Sequence, residues 1–138
     1  MAARILIAED DAAVRAFASR ALSFKKHDVT AVEDGLQALA ALETETFDLL
    51  ITDVVMPGLD GIGLCERLRE LRPGLPVLVM TGYAAEYQRA YDMEHLEHEV
   101  IVKPFTLQAF CRRVQGMLSA ANKEDTTPPP PSDERYYA

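Results

Sequence analysis

A chain of 138 residues suffices for one domain with one sizeable core and is too short for two of typical size. Its net charge of −8, with basic pairs only at Lys25-Lys26 and Arg112-Arg113, argues against binding nucleic acid or an anionic membrane, because phosphate contacts need clustered Lys and Arg. No apolar run approaches a membrane span and no signal-peptide pattern opens the chain, so the expected setting is a reducing cytoplasm with Cys65 and Cys111 as free thiols.

The first apolar run, Ile5-Leu6-Ile7-Ala8, ends in Glu9-Asp10-Asp11 and is followed by a helical stripe of Val14, Phe17, Ala18, Ala21 and Leu22. A second run, Val29 to Val32, precedes a helix of about Gly35 to Thr44 with Ala38, Leu39 and Leu42 on one side. The third, Leu49-Leu50-Ile51, runs into Thr52-Asp53, then Met56-Pro57-Gly58, then a stripe of Gly61, Leu64, Cys65, Leu68 and Leu71. The fourth, Val77-Leu78-Val79, ends in Thr81-Gly82 before a helix of about Ala84 to Met93. The fifth, Val100-Ile101-Val102, ends in Lys103-Pro104; Thr106 then caps a helix striped by Leu107, Phe110, Cys111, Val114, Met117 and Leu118.

Short, nearly continuous, β-branched runs read as strands covered on both faces. Their alternation with helices predicts an α/β fold: a parallel sheet with right-handed crossovers, five strands and five helices within residues 3 to 121. Residues 122 to 138, with four consecutive prolines, are expected to be a disordered or polyproline tail outside a domain of residues 1 to 121.

In an open parallel sheet, ligands bind beyond the carboxyl ends of the strands, where strand order reverses. In the flavodoxin-like, doubly wound order 2-1-3-4-5 that crevice lies between strands one and three. Asp10, Asp11 and Asp53 converge there, joined by Thr81 and Lys103. Singly, each has a plainer reading: Asp11 as a helix N-cap, Asp53 as the start of a turn, Lys103 as a surface residue before proline. Two like charges ~4 Å apart repel by about 4 kcal/mol at an effective dielectric of 20. Three carboxylates beside one lysine therefore call for another cation, and Mg²⁺ with oxygen ligands suits them. Such a site also suits in-line attack by a carboxylate on a phosphoryl group, with Thr81 and Lys103 donating to its oxygens.

The motifs Ile5-Leu6-Ile7-Ala8-Glu9-Asp10-Asp11, Asp53-Val54-Val55-Met56-Pro57-Gly58-Leu59-Asp60-Gly61, Met80-Thr81-Gly82-Tyr83 and Val102-Lys103-Pro104-Phe105 resemble the receiver domain of two-component response regulators, over residues 4 to about 120. The resemblance implies that Asp53 accepts the phosphoryl group. It implies that Asp10 and Asp11 bind the metal with Asp53 and the Val55 carbonyl, that Thr81 is the switch hydroxyl, and that Lys103 pairs with a phosphoryl oxygen beside a cis peptide at Pro104. It implies a stand-alone receiver that catalyses only its own phosphoryl transfer and hydrolysis. Its partners would be a histidine kinase or histidine phosphotransfer protein and a downstream protein. Residues 81 to 107 are similar in wording to CpdR-type adaptors of the bacterial cell cycle.

Receivers usually carry Tyr or Phe three residues before the lysine, and this chain has Val100. That departure questions the usual Thr-aromatic coupling and supports, as an alternative, a pseudo-receiver scaffold. Tyr83, Tyr87 and Tyr91 recur every four residues and place an aromatic stripe on the fourth helix. In receivers the face of the fourth helix, fifth strand and fifth helix is the usual output surface, so the stripe is expected to dock a partner. Val55 and Tyr83 flank the phosphoryl position and cannot orient a water, which implies slow self-hydrolysis. A haloacid-dehalogenase phosphatase would need its nucleophile after strand one, within two Asp spaced by one residue. Here Asp10 and Asp11 are adjacent.

Overall fold

The computed structural model describes residues 2–82 and 98–122. In chain order the elements are β1 (Arg4–Ala8), α1 (Ala12–Phe24), β2 (Asp28–Val32), α2 (Gly35–Thr44), β3 (Leu49–Asp53), α3 (Gly61–Leu71), β4 (Val77–Thr81), β5 (His98–Val102) and α4 (Leu107–Asn122). The strands form one sheet in the order β2-β1-β3-β4-β5, every neighbour parallel. This is the predicted order. Helix α4 is the fifth of the predicted helices and runs through Asn122, the first residue assigned to the tail. The fourth predicted helix, about 84–93, and the rest of the tail, 123–138, lie outside the described residues.

Successive strand residues point to opposite faces, so continuous apolar strands feed two cores. Leu6, Ala8, Leu50, Val77 and Val79 pack on one face with Ala38 and Leu42 of α2 and Leu64, Cys65 and Leu68 of α3. Ile5, Ile7, Leu49, Ile51, Leu78 and Met80 pack on the other with Ala18 and Leu22 of α1 and Phe110, Val114 and Leu118 of α4. Strand β3 is buried along its whole length, and edge strand β2 is the most exposed.

Asp11, Asp34 and Asp60 cap α1, α2 and α3, each accepting backbone N–H groups that the first helical turn leaves unpaired. Thr106 does the same for α4, its Oγ1 accepting from the Ala109 amide at 3.0 Å. All four caps sit at the carboxyl end of a strand. They set the helix starts around the carboxyl-end mouth of the sheet.

Candidate functional site

Parallel register brings the strand ends to one level. Ala8 is opposite Thr52, Asp53 opposite Met80, and Thr81 opposite Val102. Glu9, Asp53, Thr81 and Lys103 therefore emerge at the same edge. The Lys103 ammonium donates to Glu9 Oε1 and to Asp53 Oδ2, both at 3.0 Å. The other Asp53 oxygen, Oδ1, accepts from the Val54 amide at 2.8 Å. Both oxygens of the Asp53 carboxylate are thus held.

Glu9 is fully buried. Burial is the main reason its carboxyl is pushed up to about 7; the Asp11 amide pulls it down, the charge of Asp53 raises it further, and Lys103 lowers it. For Lys103, burial alone would favour the neutral amine, but hydrogen bonds and charge from Glu9 and Asp53 outweigh it and raise its pKa.

The geometry corrects one expectation. The acidic pair facing the pocket is Glu9 and Asp10, not Asp10 and Asp11. Carboxylate oxygens of Glu9, Asp10 and Asp53 all lie within 4.8 Å of one another. The Asp11 carboxylate instead turns to α1, accepting from Ala13 and Val14 amides at 2.9 and 3.2 Å. The reason is local: β1 ends at Ala8 and α1 starts at Ala12, so the last connecting residue is taken by the helix end. Glu9 still continues the β1 ladder, its N–H donating to Val32 O at 3.1 Å, and its Oε2 accepts from the Asp11 amide at 3.0 Å.

Thr81 is buried at the end of β4, and its carbonyl accepts from the Lys103 amide at 2.8 Å. The Lys103–Pro104 peptide is cis. Val55 follows β3 with a half-exposed side chain. Val100 is a core residue, packed in the cluster that holds Val79 and Leu75, and its carbonyl accepts from Arg113 Nη1 at 2.8 Å. Tyr83, Tyr87 and Tyr91 lie outside the described residues.

Gly61, read from the sequence as part of an apolar stripe, has a sharper role. A Cβ at this position would overlap the Asp53 carbonyl oxygen and crowd the Val54 backbone. The start of α3 thereby rests directly on the Asp53-Val54 backbone. Gly61→Ala is expected to cost about 2 kcal/mol, the scale of overpacking a core, as a lower midpoint in denaturant with an unchanged slope. Wild-type stability in this variant would show that the α3 start gives way freely.

The donor set is chemically that of a hard divalent cation: three carboxylates, one of them exposed, gathered without a thiol or imidazole. The residues fit such an ion.

Residues 5–115 match the family model of the response regulator receiver domain. Response regulator MprA of Mycobacterium tuberculosis is 35% identical over 125 residues, covering 91% of this chain and 54% of the relative. MprA of Mycobacterium avium is 35% identical over 122 residues, covering 88% of this chain and 54% of the relative. The chain thus spans about half the length of these curated relatives. Among solved structures, a CheY-like receiver domain protein of Methanospirillum hungatei superposes with a TM-score of 0.82 at 28% identity, covering 91% of this chain and all of that one. NtrX of Brucella abortus gives a TM-score of 0.81 at 26% identity, covering 88% of this chain and 28% of that one.

Proposed function

The chain belongs to the response regulator receiver domain family of two-component signalling, and from that premise we propose that it is a Mg²⁺-dependent switch in which Asp53 accepts a phosphoryl group from a phosphohistidine. The observation that carries this reading is the posture of Asp53: buried, one oxygen on the Val54 amide, the other on Lys103, beside two further carboxylates.

Fixing both oxygens removes rotational freedom before the donor arrives, so the nucleophile is already oriented. An Asp53 oxygen attacks phosphorus in line. The new O–P bond forms as the bond to the donor's imidazole nitrogen breaks, and the electron pair returns to that nitrogen. Glu9, Asp10, Asp53 and the Val55 carbonyl would hold Mg²⁺, which would supply charge neutralisation for the phosphoryl oxygens. Lys103 donates to one of those oxygens once Asp53 Oδ2 is esterified, and the Thr81 hydroxyl donates to another from the neighbouring strand end.

A histidine kinase or histidine phosphotransfer protein is the donor in this reading, and a downstream protein is the receiver of the signal. β5 and α4 carry the proposed output face; the fourth predicted helix, with its tyrosines, lies outside the described residues. No described helix is long and apolar enough to cross a membrane, which accords with a cytoplasmic setting. Val100 favours a second reading, a pseudo-receiver scaffold, because its small buried side chain leaves no ring to follow the hydroxyl.

Incubation with acetyl phosphate and MgCl₂, followed by intact mass spectrometry, separates the two. The switch reading predicts gain of one phosphoryl group, abolished by EDTA. No gain in either condition leaves the scaffold.

A further inference from the structure

Asp10 offers an exposed carboxylate to the pocket, on a short connection between β1 and α1. Where that carboxylate points depends on the peptide groups on either side of Asp10, and both are tied down. On one side the Glu9 carbonyl accepts from Arg15 Nη1 at 2.8 Å. On the other the Asp11 N–H donates to Glu9 Oε2 at 3.0 Å. With both peptide planes fixed, φ and ψ of Asp10 are fixed, and so is the direction of its Cβ. We propose that Arg15 is a positioning residue of the divalent-cation site, holding the Glu9 carbonyl so that Asp10 is aimed at the site shared with Glu9 and Asp53. The inference rests on the Mg²⁺ reading of the pocket given above.

The sequence makes this reach possible. Arg15 lies in the first turn of α1, where Asp11 is the N-cap and the Arg15 amide donates to the Asp11 carbonyl at 2.9 Å. Helical side chains lean toward the N-terminus, which carries the guanidinium back over the connection that precedes the helix. A guanidinium is always charged and makes a charge-assisted bond to the carbonyl.

Charge and positioning predict opposite signs. A cation next to an acidic site repels a divalent ion, so if Arg15 acted through charge alone its removal would tighten Mg²⁺ binding. If it acts by holding the loop, its removal weakens binding. Groups that orient a metal ligand from behind typically account for 10–100-fold in metal affinity.

The test is titration of MgCl₂ into the metal-free full chain, followed by backbone amide NMR shifts, for wild type, Arg15→Ala, Arg15→Gln and Arg15→Lys. Expected are about tenfold weaker binding for Arg15→Ala and Arg15→Gln, and partial recovery in Arg15→Lys, which keeps a charged donor. Amide shifts away from residues 9–15 report that each variant is folded, and Arg15→Gln carries the test if Arg15→Ala is not. Equal or tighter binding by the neutral variants overturns the proposal while the Mg²⁺ reading stands. No binding by the wild type overturns both.

Discussion

Asp53→Asn is expected to take up no phosphoryl group under conditions that label the wild type to completion, while remaining folded. An amide oxygen carries no full charge and an amide nitrogen lends its lone pair to the carbonyl, so neither attacks phosphorus as a carboxylate does. The shape of the side chain is kept, and its oxygen still accepts the Val54 N–H that reaches Asp53 Oδ1 at 2.8 Å. What changes is the other limb. Where Oδ2 accepts from Lys103 at 3.0 Å, an amide N–H would meet an ammonium, donor against donor. Lys103 keeps its second partner, Glu9 Oε1, also at 3.0 Å. Loss of the Asp53 charge removes one of the influences that hold the Glu9 carboxyl near 7, so that group moves back toward its ordinary range. Gain and loss offset, and the net change in stability is expected to stay within about 1 kcal/mol. Intact mass spectrometry and a denaturant titration on the same preparation check both halves. A labelled Asp53→Asn chain would place the acceptor elsewhere.

How far this site was readable in the sequence depends on how many tasks a residue type can perform. The strands were legible because continuous β-branched runs have few other uses, and their order placed Asp53 and Lys103 at one mouth. Both stand there. The acidic pair was one residue out of step because aspartate serves equally as a ligand and as a helix cap. Among Glu9, Asp10 and Asp11 the choice is made by where α1 starts, a boundary that apolar periodicity fixes only loosely. The plainer reading of Asp11 as an N-cap was the correct one. Glu9 was overlooked because a long carboxylate next to a strand reads as surface. It is buried because Lys103, 94 residues later, stands within hydrogen-bonding distance, and such a contact exists only in the folded sheet. Gly61 was hidden in the same way: its stripe position is visible in the sequence, its approach to the Asp53 carbonyl is not.

Lys103→Met should expose what the lysine does before any donor arrives. In the folded protein one ammonium, itself partly buried, stands between Glu9 Oε1 and Asp53 Oδ2, and the Glu9 side chain has no solvent contact. Methionine fills similar space without charge and leaves two carboxylates facing each other. Removing one member of a buried ion pair typically costs 3–5 kcal/mol, because the remaining charge has no compensation. Here the loss is expected at the lower end, about 3 kcal/mol above pH 7, because Glu9 can escape by taking a proton. The pH window follows from the direction of the Glu9 shift. A carboxyl raised from 4.5 to about 7 in the folded state gives stability that is fully present below 4.5 and lost as pH rises through about 7. Lys103 opposes that rise, so its removal moves Glu9 higher and extends the loss to higher pH. The gap between variant and wild type is therefore expected to be small at pH 4.5, where Glu9 is largely protonated in the folded state, and widest above pH 7. Divalent cation should act in the opposite sense. Without the competing ammonium, Mg²⁺ is expected to bind Lys103→Met more tightly than wild type and to restore much of its lost stability through mass action. Denaturant titrations at the two pH values, with and without MgCl₂, read all four quantities. A gap that does not change with pH would mean that Lys103 stabilises the chain through its packing or its pair with Asp53, and that the buried Glu9 is not the group it serves.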